Sequence, residues 1–381
     1  MQWATAQSRR PRGAMAMAEV LEQLRGRIDQ PDLVLCFVSP SHASLNEAFL
    51  RTLETHHPQA VVMGCTAAGV IAGSEVEEGP ALALVAARLP DVGLRPFRLG
   101  PGDPMPEWRE LLQLEPEHEP SFVLLSDPFS GGADKLLRSL DAAYPEAVKV
   151  GGLVSGGRAE GEHALLLGGQ VARGGHLGLA LYGDLELRPV VAQGCRPVGP
   201  ALRVSRCEGE VLHELDGRPA GEVLGEVFTA MEPRERQLFA ASALVGLGIG
   251  EEEREDYLVR HIVGADPERS VLALAAPVRE GQMLRFHLRD RHASAADLRA
   301  QLQRQARPGS QAALVFSCLG RGQRFYGEAD HDTRMLREVL GLPDLPVGGF
   351  FANGEIGPVG GRTWLHGYTT VAGLISPRRW S

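Results

Sequence analysis

The sequence has few of the features that mark secreted, metal-binding or membrane proteins. Its 381 residues include five cysteines, Cys36, Cys65, Cys195, Cys207 and Cys318, and no CxxC pair. Neither a disulfide framework nor a zinc knuckle is therefore expected. No stretch approaches the roughly 20 apolar residues of a membrane span, and the amino terminus lacks the apolar core of a signal peptide. A cytoplasmic protein that keeps its thiols reduced is expected.

A concentrated basic region is also missing. The net charge is −9, and acidic and basic residues are interspersed along the chain. Binding to nucleic acid or to anionic lipid is therefore not expected. The twelve histidines form no HExxH pair, and no GxxxxGK[ST] loop occurs. A zinc protease and a P-loop enzyme are excluded on these grounds.

One sequence unit occurs three times. Each copy has an apolar run ending in serine, a polar loop, an amphipathic helical pattern, and a second apolar run ending in Gly-Cys or Gly-Gly. Glycine-rich sequence and a further apolar strand follow. The serines are Ser39, Ser126 and Ser317, and the glycines that end the second runs are Gly64, Gly151 and Gly348.

Apolar strands that alternate with helices predict an α/β fold. We expect repeated strand–helix–strand–Gly-loop units forming helix-covered mixed sheets in two closely packed halves. Residues 1–190 would hold two copies of the unit, and residues 191–381 the third copy with a strand-rich segment. Ser44 with Glu47 and Ser294 with Asp297 have the form of capping boxes at helix starts.

The glycine loops are the expected site, because ligands of open α/β sheets bind beyond the carboxyl ends of the strands. The loop of the third copy, "VGGFFANGEIGPVGGRTWLHGYT" over residues 347–369, carries the most polar groups of the three. An alternative is that all three loops are tight corners between a strand and a hairpin.

Five motifs, taken in order, resemble the FIST family with both its N-terminal and C-terminal domains, from about residue 33 to about residue 375. They are "GCTAAG", "QGCRPVGPALRVSRCEGEVLHELDGRPA", "YLVRHIVG", "FSCLGRGQRFYG" and "GGFFANGEIGPVGG…LHGYT". The resemblance implies a cytoplasmic sensory module that binds a small ligand, proposed for the family to be an amino acid. Some members of the family are identified as haem-based nitric oxide sensors.

The chain departs from the family pattern at two points. The family usually has Gly-Glu in the first loop, whereas here Gly69 is followed by Val70, so that loop lacks a carboxylate. Family members are often fused to output domains, but this sequence ends a few residues past the region of resemblance. We therefore expect a separate protein as the signalling partner.

We expect a ligand pocket at the interface between the two halves, with Cys318 at its wall. A free amino acid needs donors for its carboxylate and acceptors for its ammonium group. Arg321 and loop N–H groups would serve the first, and Asn353 and Glu355 the second. Alternatively, Arg321 and Glu355 form an ion pair that joins two loops. The remaining residues expected to contact ligand are Gly349, Gly354, His366, Cys65 and Thr66.

Two other functions stay open. Cys318, beside Arg321, would be the nucleophile of a cysteine-dependent enzyme if a histidine such as His366 lay beside it; otherwise it is a small buried residue. His366 would be the axial ligand if the protein were a haem-based gas sensor. Neither a metal nor a cofactor is predicted otherwise. Phe350 and Phe351 should divide between core and pocket, because successive side chains of a strand point to opposite faces.

Overall fold

The structure, a computed structural model, describes residues 1–249 and 256–378. The chain forms two compact units. The larger contains Met1–Ala192, Leu298–Leu365 and the chain from Thr369 onward, and the smaller contains Gln193–Asp297 and His366–Tyr368. The expected division near residue 190 falls close to the end of the first segment. However, the third copy of the repeat lies in the larger unit with the other two, so residues 191–381 are not one compact body.

The α/β class is confirmed by the secondary structure, which alternates strands and helices through both units. The helices are α1 (Gly13–Leu24), α2 (Asn46–His56), α3 (Trp108–Leu112), α4 (Ala133–Ala143), α5 (Ala220–Ala230), α6 (Pro233–Ala241), α7 (Arg291–Gln305), α8 (Gln323–Tyr326) and α9 (His331–Leu340). The strands up to the end of the larger unit's first segment are β1 (Gln2–Ser8), β2 (Leu33–Val38), β3 (Val61–Thr66), β4 (Val70–Ala72), β5 (Glu75–Val76), β6 (Leu82–Arg88), β7 (Val92–Leu99), β8 (Ser121–Ser126), β9 (Lys149–Leu153), β10 (Leu165–Leu167), β11 (Gln170–Ala172), β12 (His176–Gly183) and β13 (Glu186–Ala192). The remaining strands are β14 (Cys195–Glu208), β15 (Val211–Leu215), β16 (Arg218–Pro219), β17 (Leu244–Gly248), β18 (Tyr257–Asp266), β19 (Val271–Leu274), β20 (Met283–Arg289), β21 (Ala312–Cys318), β22 (Val347–Ala352), β23 (Glu355–Val359), β24 (Arg362–His366) and β25 (Thr370–Ser376).

The larger unit consists of three six-stranded sheets built to one plan. Sheet I has the order β1-β6-β2-β3-β10-β11, sheet II β7-β12-β8-β9-β23-β24, and sheet III β13-β25-β21-β22-β4-β5. In each sheet, the two strands of one repeat copy pair in parallel. After the glycine loop and a short hairpin, the next strand of that copy (β6, β12 or β25) returns antiparallel to the first. The three copies therefore form a pseudo-threefold arrangement.

Each copy gives its hairpin to the sheet of another copy. The hairpin β4–β5 of the first copy joins sheet III, β10–β11 of the second joins sheet I, and β23–β24 of the third joins sheet II. The registers are equivalent: Phe350 pairs with Val70, Gly152 with Glu355, and Cys65 with Leu165. This cyclic exchange places the glycine loops, which lead into the hairpins, where the three sheets meet.

Apolar residues fill the faces on both sides of the sheets. One core cluster takes side chains from all three sheets, among them Phe37, Val123, Phe316 and Phe350. A second cluster lies between sheet I and helices α1 and α2. A third lies between sheet II and helices α3 and α4. The inner faces thus pack on one another and the outer faces carry helices, which explains the continuous apolar runs in the sequence.

One glycine in each copy is required by the close approach of two strands. A Cβ atom on Gly64, Gly151 or Gly349 would lie 1.8 to 2.0 Å from a carbonyl oxygen of the neighbouring parallel strand. The structural equivalents are therefore these three glycines, and the sequence alignment, which used Gly348, was one residue out. It was one residue out at Ser39 as well, because Val38 occupies the register position of Ser126 and Ser317.

Both predictions of a capping box, at Ser44 and at Ser294, were wrong. Helix α2 begins at Asn46 after a 3-10 turn, and its N-cap, Leu45, makes no side-chain hydrogen bond. Helix α7 begins at Arg291, so Ser294 lies inside it. The carboxylate of Asp290 instead accepts hydrogen bonds from the first N–H groups of that helix, as an N-cap does.

The smaller unit is an antiparallel sheet in the order β14-β20-β17-β18-β19-β15-β16. Strand β14 pairs with both β20 and β15, so six of the strands close into a barrel-like ring. Helices α5 and α6 pack on it through Val223, Val227 and Phe239.

Candidate functional site

The three glycine loops of the larger unit meet at one point. Ala68, Ser155 and Asn353 are equivalent residues. Each lies two positions after the residue that pairs near the end of the first strand of its copy, with Val38, Ser126 or Ser317. The N–H of Ser155 donates to the carbonyl of Thr66 at 3.4 Å, and the N–H of Asn353 donates to the carbonyl of Leu153 at 3.0 Å. Each loop thus bonds to the next around the pseudo-threefold axis. We call this meeting point, residues 66–69, 153–157 and 351–354, the apex.

The hydroxyl of Ser155 completes the ring of hydrogen bonds at the apex. Its Oγ accepts from the N–H of Ala68 at 2.9 Å and donates to the carbonyl of Phe351 at 2.5 Å. Ser155 is buried, whereas Asn353 is exposed. The apex therefore has a closed polar floor made of main chain and one serine, with the Asn353 amide as an outward-facing polar group.

The second copy has a longer loop, which brings a histidine to the apex. At this point of the loop the second copy has residues 155–163, whereas the first copy has only Ala68 and the third only Asn353. His163, the last of these, is buried, and its Nδ1 lies 2.8 Å from Oδ1 of Asp127. The other oxygen of Asp127 accepts from the Ser130 hydroxyl at 2.6 Å. Phe129 stacks on the imidazole, with ring centres 5.5 Å apart.

A denser polar cluster follows the first strand of the third copy. Asp332, at the start of α9, accepts hydrogen bonds from the hydroxyls of Ser317 and Thr370, from His331, and from two nitrogens of Arg321, each 3.0 Å away. Burial alone would raise the pKa of the Asp332 carboxyl, but Arg321 and the other donors hold it well below its usual range. Arg321, which was expected to donate to the carboxylate of a ligand, is thus already paired with the carboxylate of Asp332.

An aromatic side chain covers this cluster. The rings of Tyr326 and His331 are stacked with centres 3.4 Å apart, and the Arg321 guanidinium lies 5.3 Å from the centre of the Tyr326 ring. Sequence reasoning missed Asp332, His331 and Tyr326. The signal was present in "HDTR", where a His-Asp pair begins an amphipathic helix just beyond the glycine-arginine loop.

Glu355 is fully buried and accepts a hydrogen bond from the N–H of Thr369 at 3.0 Å. Its counterpart in the first copy is Val70, as the register shows. The equivalent positions of the first and third copies thus hold an apolar side chain and a carboxylate. Val70 itself belongs to the apolar core of the larger unit.

The other residues expected in the third loop differ in their surroundings. Gly349 has no room for a side chain, and a Cβ atom on Gly354 would lie 3.0 Å from Leu153. Phe350 points into the core and contacts Phe37 and Phe316. Phe351 is also buried, and its ring covers Gly69. The two phenylalanines do divide between faces, but Phe351 packs on the first loop and not on an open pocket.

Cys65 and Thr66 are buried in the first copy. Burial raises the pKa of the Cys65 thiol well above its ordinary value, and the Thr66 hydroxyl accepts from the N–H of Ala164 at 3.0 Å. Cys318 is partly exposed, and its sulfur accepts from the N–H of Gly320 at 3.4 Å. His366, its expected partner, belongs to the smaller unit, whereas Cys318 belongs to the larger.

His366, the residue considered as an axial haem ligand, is buried, with 4% of its surface exposed. The cavity of about 560 Å³ in the larger unit has no histidine, cysteine or methionine in its lining. Within residues 1–249 and 256–378, no three His, Cys, Asp or Glu side chains are grouped as metal ligands.

That cavity lies away from the apex. Its lining includes Ser121, Tyr144, Arg188 and Arg378, and Ser121 begins the strand β8 whose other end leads to the loops. Arg188 is held by the carbonyl of Gln305 and the hydroxyl of Ser310. The two terminal nitrogens of Arg188 are therefore already bonded within the protein.

Segments from three parts of the sequence come together in the smaller unit. The hydroxyl of Tyr368, from "LHGYT", lies 3.3 Å from Nδ1 of His261, from "YLVRHIVG". Arg289, from "FHLRD", lies over the Tyr368 ring. Tyr368 has φ = 62°, a conformation that is rare for an aromatic residue. His287, whose pKa burial lowers to about 4, contacts Tyr257.

Comparison with known proteins covers almost the whole chain. The model of the FIST N domain matches residues 32–218, and that of the FIST C domain matches residues 220–358. An uncharacterised protein of Mycobacterium tuberculosis is 35% identical over 382 residues, covering 97% of each chain. One from Mycobacterium bovis is 33% identical over 381 residues, covering 96% of each.

A solved structure, a cyanuric acid hydrolase from A. caulinodans, aligns over 99% of this chain and 98% of its own, with 11% identity and a TM-score of 0.33. That similarity is too low to carry an argument. None of the helices described in residues 1–249 and 256–378 has the length and apolarity to cross a bilayer.

Proposed function

The chain belongs to the FIST family of small-ligand-binding sensory domains, and from that premise we propose that it senses a small metabolite, an amino acid in the first instance, at the apex. The observation that carries the proposal is the convergence of all three glycine loops in one hydrogen-bonded ring around Ser155. The ring stands at the carboxyl ends of parallel strands, where α/β proteins bind ligands.

The exposed Asn353 is the residue of this site best placed to contact a ligand. Its amide can both donate and accept, as a zwitterion requires. Arg321 does not donate to the carboxylate of the ligand, because its guanidinium is already paired with Asp332. Glu355 has a buried position and bonds to the main chain at Thr369. Arg321 and Glu355 instead hold the strand ends in place.

We further propose that the protein acts in the cytoplasm and passes its signal to a separate protein. All five cysteines are free thiols, which suits a reducing compartment. The sequence has no P-loop of its own for nucleotide-driven output. A ligand that bound across the three loops would change the ring of hydrogen bonds, and the strands beyond it would transmit that change.

A thermal-shift screen tests the proposal. The panel contains the common amino acids, their hydroxy-acid analogues and simple carboxylates. A ligand present at a hundredfold excess over its Kd stabilises the native state by about 2.7 kcal/mol. Asn353→Ala should remove the shift, and Gln170→Ala, at the exposed start of β11, should retain it. If no compound stabilises the wild-type protein at saturating concentration, the proposal fails.

A further inference from the structure

His163 has a buried ring nitrogen with no hydrogen-bond partner among residues 1–249 and 256–378. The side chain is 1% exposed, and its Nε2 makes no hydrogen bond. A buried polar atom left in this state costs roughly 1–3 kcal/mol. Such atoms are few in folded proteins and call for an explanation. A group that binds there would remove the cost.

The other ring nitrogen fixes what Nε2 can do. Nδ1 faces a carboxylate oxygen of Asp127 at 2.8 Å, so it carries the proton and donates. Asp127 is held in turn by the Ser130 hydroxyl, which accepts from the N–H of Gly175. In the neutral ring, Nε2 is then a lone-pair acceptor with a fixed direction.

The main chain at Gly157 approaches the imidazole closely. A Cβ atom there would lie 3.0 Å from Nε2 and 2.8 Å from the Cβ atom of Glu162, so only glycine fits beside the ring. The segment from Arg158 to Glu162 that runs between them is exposed to solvent. The Phe129 ring, which lies nearly parallel to the imidazole at 18°, is 45% exposed. The acceptor therefore lies just beneath the surface at the apex.

A second histidine–aspartate pair, in the third copy, offers a comparison. His331 also contacts an aspartate through Nδ1 and stacks on an aromatic ring. Of these two histidines, only His163 has a buried Nε2 that lacks a partner within the described residues.

We propose that His163 Nε2 is the ligand-binding acceptor of the apex and that it selects small molecules with an N–H or O–H donor. This inference rests on the proposed function, because it assigns a residue and a ligand chemistry to the same site. An ammonium group and a hydroxyl group share the chemistry, and matched probes separate them.

The test uses L-alanine, L-lactate and propionate, which differ only in bearing an ammonium, a hydroxyl or a hydrogen on the same carbon. Their affinities for the full-length protein are measured by calorimetry. Propionate should bind at least tenfold more weakly than the better of the other two. His163→Asn keeps a donor to Asp127 but removes Nε2, so the discrimination should disappear. His331→Asn is the matched control and should retain it.

Gly157→Ala serves if His163→Asn does not fold, because it keeps the imidazole but places a methyl group 3.0 Å from Nε2 and 2.8 Å from the Cβ atom of Glu162, so the surroundings of Nε2 must change. It should cause the same loss. Equal binding of all three probes to the wild-type protein, or wild-type discrimination by the folded His163→Asn or Gly157→Ala variant, overturns the inference. So does a wild-type protein that binds other compounds of the panel but none of these probes, an outcome that leaves the proposed function intact. If no compound binds at all, the proposed function itself fails.

Discussion

Replacing Asp332 with alanine should destabilise the larger unit more than most single substitutions. Asp332 is 3% exposed and accepts hydrogen bonds from Arg321, His331, Ser317 and Thr370. Its removal leaves the guanidinium, which cannot lose its charge, buried without its carboxylate. Breaking a buried ion pair in this way costs about 3–5 kcal/mol.

Urea unfolding followed by tryptophan fluorescence provides the assay, since Trp3, Trp108 and Trp364 all lie in the larger unit. The double variant Arg321→Met, Asp332→Leu removes both charges and should be more stable than Asp332→Ala. An Asp332→Ala protein within about 1 kcal/mol of wild type would refute the reasoning. A double variant less stable than the single one would refute it too.

Three further predictions follow from burial and close packing. Burial, and then the negative charge of Asp332, raises the pKa of the Glu75 carboxyl from 4.5 to about 8. Its stabilising contribution is therefore complete below pH 4.5 and is lost as the pH rises through 8. Glu75→Gln should remove that decline in urea unfolding, and a wild-type-to-variant difference independent of pH would contradict this. Gly349→Ala should cost about 3 kcal/mol, the upper end of the usual range for overpacking, since its Cβ would lie 1.8 Å from a carbonyl oxygen. Gly264→Ala, with its nearest contact at 3.8 Å, should stay within about 1 kcal/mol, and equal effects would show that the close approach is relieved. Burial raises the pKa of Cys36 to about 12 and that of Cys65 well above its ordinary value, so iodoacetamide at pH 8 should label neither in the native protein and both in urea, and native labelling of either contradicts that picture.

The repeat and the α/β class could be read from the sequence, because apolar period and glycine position are local signals. The exchange of hairpins could not. Strand β4 pairs with β22, some 280 residues away, and no local pattern specifies a partner at that distance. For the same reason the third copy was assigned to the wrong half: a segment boundary does not reveal which strands will share a sheet.

The site was predicted in place more than in detail. The loops do meet at strand ends, and the ligand contacts expected of Asn353 and Glu355 stay predictions. The alternative of tight corners also applies, since Gly349 and its equivalents serve close strand approach. Arg321 was expected to pair with ligand or with Glu355, but its carboxylate is Asp332, eleven residues on. His163 was missed because a single histidine in a charged loop gives no periodic signal.

The most direct test of ligand binding at the apex is a crystal structure of the protein with the compound that gives the largest thermal shift. Ligand density is expected at the meeting point of the three loops, in contact with Asn353 and within hydrogen-bonding distance of His163 Nε2. Density confined to the cavity lined by Tyr144 and Arg188, at the other end of the strands, would contradict it.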